Sequence, residues 1–251
     1  QKGKGQYQER DVEARVGKWV MSFGETRPLS DVTATEGSVT IGTGTTSRNA
    51  EAVTVDNGSA VTAGANVNVY ATGAVTVQGA ASKATSVVGK TGVTVDSGAK
   101  VTVDGGVVKA GAFEYVPGEV PTVAAGDAAD LTVTATAGVE VKNGAALGAS
   151  QDLTLTKAAT GASGDITVSG SQVAANRNLT VDSAAAVSVS GGSAVAAKGA
   201  ATVTGANGVT VDGSSVESVG DLTVTATAGD LVVKGASKLG TDGKLTANAV
   251  A

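Results

Sequence analysis

The sequence predicts an all-β fold in which short strands wind into a solenoid of stacked coils. Three observations predict it: a strand phrase that recurs at a nearly constant period, a composition of small and β-branched residues, and Gly- and Asn-containing turns between the strands. The phrase is Leu-Thr-Val-Thr or a close variant, and it begins at residues 131, 153, 179, 201, 222 and 245. The steps between these positions are 22, 26, 22, 21 and 23 residues. A short strand that returns at such a period is typical of a solenoid.

Small and β-branched side chains fill most of this chain of 251 residues, which has 36 glycines and only 2% aromatic residues. A globular domain of this size would fill a wide core with leucine and aromatic side chains. A thin core between closely stacked strands needs only small and β-branched residues, and valine and threonine suit a pleated strand. Because 16% of the residues are charged and the apolar alternation is strong, the composition argues against disorder.

The first half of the chain carries shorter alternating strands of the same kind, and we expect two or three strands in each coil. These strands are predicted at residues 39–41, 53–55, 67–69, 75–77, 93–95 and 101–103. A β-sandwich would show similar spacing, but its strands do not recur in near-identical form at a longer period. The repeat therefore predicts roughly nine to ten coils.

Coils that stack in register about 4.8 Å apart place equivalent residues in columns along the rod. The first and third residues of the phrase are predicted to point inward: Leu131, Val133, Leu153, Leu155, Leu179, Val181, Val203, Leu222 and Val224. The residues between them are predicted to form an outward column of threonines: Thr132, Thr154, Thr180, Thr202, Thr223 and Thr246.

Residues 1–30 differ from the repeats that follow. They hold six of the 18 basic and four of the 23 acidic residues, so this segment carries +2 (6 − 4) and the remainder −7 (12 − 19). Trp19, Met21 and Phe23 share one parity, so on a strand they would point to one face. We predict an N-terminal arm that either caps its own first coil or docks on a neighbouring molecule. The solenoid is predicted for residues 31–251.

Residues 112–129 interrupt the repeat with two of the three prolines and two of the six aromatic residues, Phe113 and Tyr115. Proline lacks the backbone donor that a sheet ladder needs, so this segment is not an internal strand. We expect a loop that projects from the rod or a strand that lies along its edge, with Phe113 and Tyr115 as a possible contact surface.

Charge and residue content exclude several classes of function. The net charge of −5 and the pI near 4.8 argue against a nucleic acid or an anionic membrane as partner. There is no Cys, hence no disulfide framework, and no apolar run of about 18 residues that would insert into a membrane. The sequence begins with Gln rather than Met, and we therefore expect a processed, secreted form that has lost a signal peptide.

Four aspartates sit in Gly- or Asn-containing segments that look like turns: Asp56, Asp96, Asp104 and Asp212. Stacked carboxylates could bind Ca²⁺ between coils, but such residues also supply turn geometry, which is the interpretation we favour. We therefore expect no cofactor. We also expect no enzyme activity, because there is no His and no cluster of acidic and basic residues suited to acid–base work.

The phrases at residues 220–229 and 178–181 resemble the haemagglutinin repeats of filamentous-haemagglutinin-like bacterial exoproteins. The resemblance covers residues 130–251 clearly and the rest loosely. It implies a right-handed parallel β-helix that is exported and displayed at or beyond the cell surface, usually for adhesion or biofilm formation.

The final repeat suggests how such a chain could function. No helix, proline or charged cover follows the strand that contains Leu245, Thr246, Ala247 and Val250. An uncovered coil is a template for the first coil of another copy, and a heterologous contact that does not close gives a filament. We therefore predict a secreted structural subunit that polymerises head-to-tail into an extracellular filament or matrix, with the Trp19, Met21 and Phe23 arm docking on the neighbour.

Two other functions stay open from the sequence. The first is a surface adhesin fragment that binds a glycan or a receptor through residues 112–129. The second is an ice-binding solenoid, because paired outward threonines form a flat array: Thr132/Thr134, Thr154/Thr156, Thr202/Thr204 and Thr223/Thr225. Asp182 and Asn248 interrupt the second column of this array, and threonine is also a good exposed strand residue.

Overall fold

The computed structural model describes residues 7–8, 12–14, 20–23, 31–42, 50–81, 83–114, 122–123 and 128–250. Within them the chain consists of strands and turns, and no helix in this part is long and apolar enough to cross a membrane. Three parallel sheets of ten, ten and nine strands enclose one aliphatic core. The prediction of an all-β parallel solenoid is confirmed.

Each sheet collects one strand from every coil. The first sheet contains Tyr7–Gln8, Val32–Ala34, Ala60–Ala63, Ser86–Gly89, Val107–Ala110, Ala146–Ala149, Gln172–Ala175, Ala194–Ala197, Ser215–Ser218 and Lys238–Thr241. The second sheet contains Val12–Ala14, Val39–Ile41, Asn66–Ala71, Gly92–Ser97, Asp130–Ala135, Leu153–Lys157, Leu179–Ser183, Ala201–Gly205, Leu222–Ala226 and Leu245–Ala249. The third sheet contains Val20–Phe23, Ala52–Val55, Val75–Gln78, Val101–Asp104, Val139–Lys142, Ile166–Ser169, Ala186–Ser190, Gly208–Asp212 and Leu231–Lys234.

Eight complete coils run from Val32 to Lys234, and shorter stretches at both ends extend the sheets. The sequence predicted nine to ten coils from a period near 22 residues. Several coils are longer than that period: register partners in the first sheet are 29 residues apart (61 − 32) in an early coil and 39 residues apart (146 − 107) in the middle. Because of these longer coils, residues 32–234 make eight coils, and the strands before and after them bring the three sheets to ten, ten and nine strands.

The strands form where apolar and polar residues alternate, because successive side chains of a strand point to opposite faces. The predicted inward columns are confirmed, since all nine of the residues named for them are at most 2% exposed. Their large aliphatic side chains stack directly on one another: Leu131 is in register with Leu153, and Leu153 with Leu179. Burial of these columns, together with the ladders between coils, stabilises the fold.

The predicted N-terminal segment, residues 1–30, falls largely outside the described residues. Its described part consists of three short strands, one in each sheet. Met21 and Phe23 lie in the strand of the third sheet, which pairs in parallel with Ala52–Val55. Trp19 lies outside the described residues.

The interruption at residues 112–129 contains an antiparallel pair of short strands, Phe113–Glu114 and Thr122–Val123. It follows the first-sheet strand Val107–Ala110, and the coil resumes afterwards in the second sheet. Tyr115 lies outside the described residues.

Candidate interaction surfaces

The outer face of the second sheet carries an unbroken column of threonines. Register pairs align one threonine from each of seven consecutive coils: Thr94, Thr132, Thr154, Thr180, Thr202, Thr223 and Thr246. The predicted outward column of six is confirmed, and Thr94 extends it by one coil. Hydroxyl and methyl groups therefore repeat along the rod at the strand spacing of about 4.8 Å.

A second outward column, two residues further along each strand, is mixed. It contains the threonines Thr134, Thr156, Thr204 and Thr225. Asp182 and Asn248 interrupt it as predicted, and the Asp182 carboxylate lies 2.9 Å from the Lys157 Nζ. Asp96, which was predicted in a turn, instead lies inside a strand of this sheet and is only 3% exposed.

The last described coil, residues 231–250, exposes apolar side chains at positions that are buried in the coil before it. Val233 is 43% exposed and Leu245 is 46% exposed, whereas their register partners Val211 and Leu222 are fully buried. The inward-facing layer of this coil therefore has aliphatic contacts on one side only.

The residues predicted as a stacking edge all lie in this coil. Leu245, Thr246 and Ala247 belong to the strand Leu245–Ala249, which pairs with the preceding strand of the second sheet. Val250 follows that strand and is 53% exposed. The predicted arm residues Met21 and Phe23 lie in the first strand of the third sheet. The predicted arm and the predicted stacking edge are therefore at opposite ends of the solenoid.

Polar side chains at the corners accept backbone N–H groups from the adjacent coil. At the corner before the third sheet, the Asp165 Oδ1 accepts the Ala186 N–H at 2.9 Å. Asp230 has the equivalent position: it precedes Leu231 as Asp165 precedes Ile166, at the start of a third-sheet strand. Asp230 is exposed, and its carboxylate has no hydrogen-bond partner in the described part of the chain.

The corner before the second sheet has a ladder of the same kind. The Asp130 Oδ1 accepts the Asp152 N–H at 3.0 Å, and the Asp152 Oδ1 accepts the Asn178 N–H at 3.0 Å. The Asn178 Oδ1 in turn accepts the Ala200 N–H at 3.1 Å. Each carboxylate or amide thus ties its coil to the next, because the turn amides have no carbonyl partner in the sheet.

The corner before the first sheet uses serines, and sequence reasoning missed them. The hydroxyl of Ser193 accepts the Ser171 N–H at 3.2 Å, and the hydroxyl of Ser214 accepts the Ser193 N–H at 3.0 Å. The hydroxyl of Ser237 accepts the Ser214 N–H at 3.2 Å. The available signal was the serine spacing, since these residues recur at steps of 22, 21 and 23 residues, close to the period of the strand phrase.

The outer face of the first sheet is lined with small residues and forms a shallow cavity of about 200 Å³. Gly148, Ala174, Lys109 and Gln172 are among the residues that line it. Ligand pockets usually measure about 300–1,000 Å³, so this cavity is small for a bound organic ligand. It offers an ammonium and an amide but no acid–base pair.

A small void lies inside the described coils. A void of about 10 Å³ among the described residues is lined by Ile41 and valines. This volume is about that of one water probe, and its lining is apolar, so it does not suit a bound polar molecule.

Charged side chains on the third sheet and at its corner pair both within a strand and across coils. The Lys142 Nζ lies 3.0 Å from the Glu140 Oε2 and 3.9 Å from the Asp104 Oδ2, and the Lys100 Nζ lies 3.5 Å from the same Glu140 oxygen. The hydrogen bond from Lys142 lowers the pKa of Glu140, with partial burial opposing it and Lys100 assisting. Among the described residues, no three His, Cys, Asp or Glu side chains converge as a metal site requires.

Phe113, the described member of the predicted contact loop, lies in a strand beside the first-sheet strand Ala146–Ala149. Comparisons of the whole chain with protein families, with curated proteins and with solved structures found no match. The molecule is a parallel β-solenoid repeat protein, and its similarity to haemagglutinin repeats stays a prediction.

Proposed function

We propose that this chain is a structural subunit that self-associates by stacking coils on residues 231–250. The observation that carries the proposal is the exposure of Val233 and Leu245, whose register partners Val211 and Leu222 are fully buried. Covering about half of one such side chain contributes on the order of 1 kcal/mol. A coil added in the same register would bury both residues and pair the open strand edges.

A second copy of this chain is the occupant that best fits the exposed layer. The coils from Val32 to Ala226 pack against one another through valine, leucine and alanine columns, and one more coil would continue that interface. Asp230 supports the same register, because the equivalent carboxylate of Asp165 accepts the N–H of the next coil. The added strand in the third sheet would find this acceptor already placed.

The setting that we propose for the assembly is extracellular, as a filament or matrix. It is supported by the similarity of residues 220–229 to exoprotein haemagglutinin repeats and by an acidic chain with a net charge of −5. Head-to-tail contacts that continue the parallel stacking of coils along the solenoid axis do not close into a ring, and such contacts produce open fibres.

Sedimentation velocity over a range of concentrations tests the proposal. Wild-type protein should form species larger than one chain, and these should grow with concentration. Leu245→Lys places a charge in the proposed contact and should leave discrete single chains. Thr202→Lys adds the same charge on an exposed outer position and should assemble as the wild type does.

Two outcomes would contradict self-association through this coil. One is wild-type protein that sediments as a single chain at all concentrations. The other is assembly by Leu245→Lys that equals assembly by Thr202→Lys. Circular dichroism of both variants checks that the strands remain formed.

A second candidate function is ice binding, which the seven aligned threonines favour. Their hydroxyl and methyl groups form a regular array, about 4.8 Å apart between coils. Ice recrystallisation should be inhibited by the wild-type protein and not by Thr180→Lys, which interrupts the column. Thr167→Lys, on the outer face of the third sheet, should inhibit as well as the wild type. Equal inhibition by both variants, or none by the wild type, would exclude this function.

A further inference from the structure

Three asparagines of the sequence are followed by glycine: Asn57, Asn143 and Asn207. In such a pair the glycine nitrogen can attack the asparagine side chain, because glycine has no side chain to hinder the approach. The attack requires a free glycine N–H and a mobile asparagine side chain. The three pairs differ in what each of these two groups already binds.

The first two pairs are held by hydrogen bonds. The Gly58 N–H donates to the Thr85 Oγ1 at 2.9 Å. The Gly144 N–H donates to the Gly170 carbonyl at 2.9 Å, and the Asn143 side chain donates to the Asp104 Oδ1 at 2.8 Å. In both pairs the nitrogen that would attack is already engaged.

The third pair differs. The sheet register would offer the Ala185 carbonyl to the Gly208 N–H, but that carbonyl accepts the Asn207 N–H at 3.0 Å. No residue outside the strands accepts the Gly208 N–H in the described part of the chain, and the sheet register offers it no carbonyl other than that of Ala185. Asn207 is exposed, and its side chain makes no hydrogen bond within the described part of the chain.

In the three aspartate–glycine pairs, the glycine N–H is also engaged in a hydrogen bond. The glycine N–H groups that follow Asp104, Asp212 and Asp242 donate to the Lys142 carbonyl at 2.9 Å, the Lys234 carbonyl at 3.1 Å and the Thr241 hydroxyl at 2.9 Å. Gly208 is thus the unengaged glycine among these six pairs.

We propose that Asn207 is a site of spontaneous deamidation and isoaspartate formation. The Gly208 nitrogen loses its proton to hydroxide and forms a bond to the Asn207 Cγ, the Cγ–Nδ2 bond breaks, and ammonia leaves. Water then opens the cyclic imide at either carbonyl, which gives aspartate or isoaspartate at position 207. The isoaspartate product adds one carbon to the main chain at the corner between the second and third sheets.

Peptide mapping by mass spectrometry tests this proposal on the folded full-length chain, incubated at mildly alkaline pH. One hydrogen bond of ordinary net strength changes an equilibrium by a factor of about 5, so conversion at Asn207 should be at least about fivefold faster than at Asn57 or Asn143. Asn207→Gln should remove the fast conversion. In denaturant, the three sites should react at similar rates.

Three results would overturn the proposal. The first is a folded-state rate at Asn57 or Asn143 that equals or exceeds the rate at Asn207. The second is a fast conversion that survives in Asn207→Gln. The third is the same preference for Asn207 in denaturant, because the preference would then come from the local sequence and not from the fold.

Discussion

Arg177 and Asp152 form a two-pronged ion pair between adjacent coils. The Arg177 Nε lies 2.7 Å from the Asp152 Oδ1, and the Arg177 Nη2 lies 2.6 Å from the Asp152 Oδ2. The same carboxylate accepts the Asn178 N–H at 3.0 Å. One aspartate therefore joins two coils through a side chain and a backbone amide, a geometry that is stronger than a single surface contact.

This pair should make stability depend on acid pH. The hydrogen bond from Arg177 lowers the pKa of Asp152 from its usual 3.8, partial burial opposes this, and the Asn178 N–H assists. A carboxyl whose pKa is lowered by folding stabilises the fold above its unfolded pKa, and this contribution disappears as the pH falls through the folded pKa. Arg177→Gln should therefore destabilise the protein at neutral pH, with the difference from wild type vanishing in strong acid.

Urea unfolding at a series of pH values measures this difference. Lys198→Gln is the matched control, since it removes one positive charge from an exposed residue with no ion pair in the described part of the chain. If the free energy of unfolding had the same pH dependence in Arg177→Gln and Lys198→Gln, the ion pair would contribute nothing to stability. The change should be small, because both partners are partly exposed to solvent.

The stacked leucines should dominate stability. Leu155 is fully buried, and its register partners in the adjacent coils are the buried valines Val133 and Val181. Leu155→Ala should cost about 2–5 kcal/mol of unfolding free energy, from lost burial and the cavity that remains. Thr154→Ala, on the outer face of the same strand, should change it by less than about 0.5 kcal/mol. If the two variants unfolded at the same urea concentration, the assigned strand faces would be contradicted.

Close approach of adjacent coils should make one glycine irreplaceable. Gly138 has a φ of +94°, and a Cβ there would lie 2.2 Å from the Asp165 carbonyl oxygen. Gly192 has a φ of +75°, but a Cβ there meets nothing within 4 Å. Both alanine variants carry backbone strain of about 1–2 kcal/mol, and Gly138→Ala adds a clash.

Thermal unfolding separates strain from clash at these two glycines. Gly138→Ala should lower Tm clearly more than Gly192→Ala. Equal Tm values would mean that the two coils do not approach closely at this corner.

The serine ladder should protect individual amides. Ser193 is 2% exposed, and its hydroxyl accepts the Ser171 N–H. Ser193→Ala leaves that buried amide without a partner, at a cost of about 1–3 kcal/mol. In Ser193→Ala, hydrogen exchange of the Ser171 amide should be faster than in the wild type. Ser188→Ala, on an outer face, should leave the exchange rate of the Ser171 amide unchanged. Unaltered exchange at Ser171 in Ser193→Ala would contradict the ladder.

Much of the fold could be predicted from the sequence because its strongest signal is periodic. Leu153 and Leu155 alternate with threonines in a phrase that returns in each coil, so both the face and the column follow from spacing. Parts of the first sheet lack this signal. Its strand Ala194–Ala197 is buried at every position, so no polar alternation marks it.

The corners were not predicted because their contacts join residues far apart in the chain, and only the spacing of the serines signalled them. Nothing local to Ser193 indicates that its hydroxyl accepts an amide 22 residues earlier. Asp96 was assigned to a turn because a glycine follows two residues later, yet it extends a strand whose register is set by neighbouring coils. In both cases tertiary pairing overrides the local preference.

The distance between labels on different molecules tests head-to-tail stacking most directly. The chain has no cysteine, so Thr246→Cys gives a single spin-label site on the outer face of the last described coil. Head-to-tail stacking separates equivalent labels by about one solenoid length, about 50 Å for ten strands at 4.8 Å. Pulsed electron resonance on assembled protein should show this distance, and dilution with unlabelled chain should remove it. Contact between the last coils of two molecules would instead give a distance below about 20 Å. Such a short distance, or no intermolecular distance at all, would contradict head-to-tail stacking.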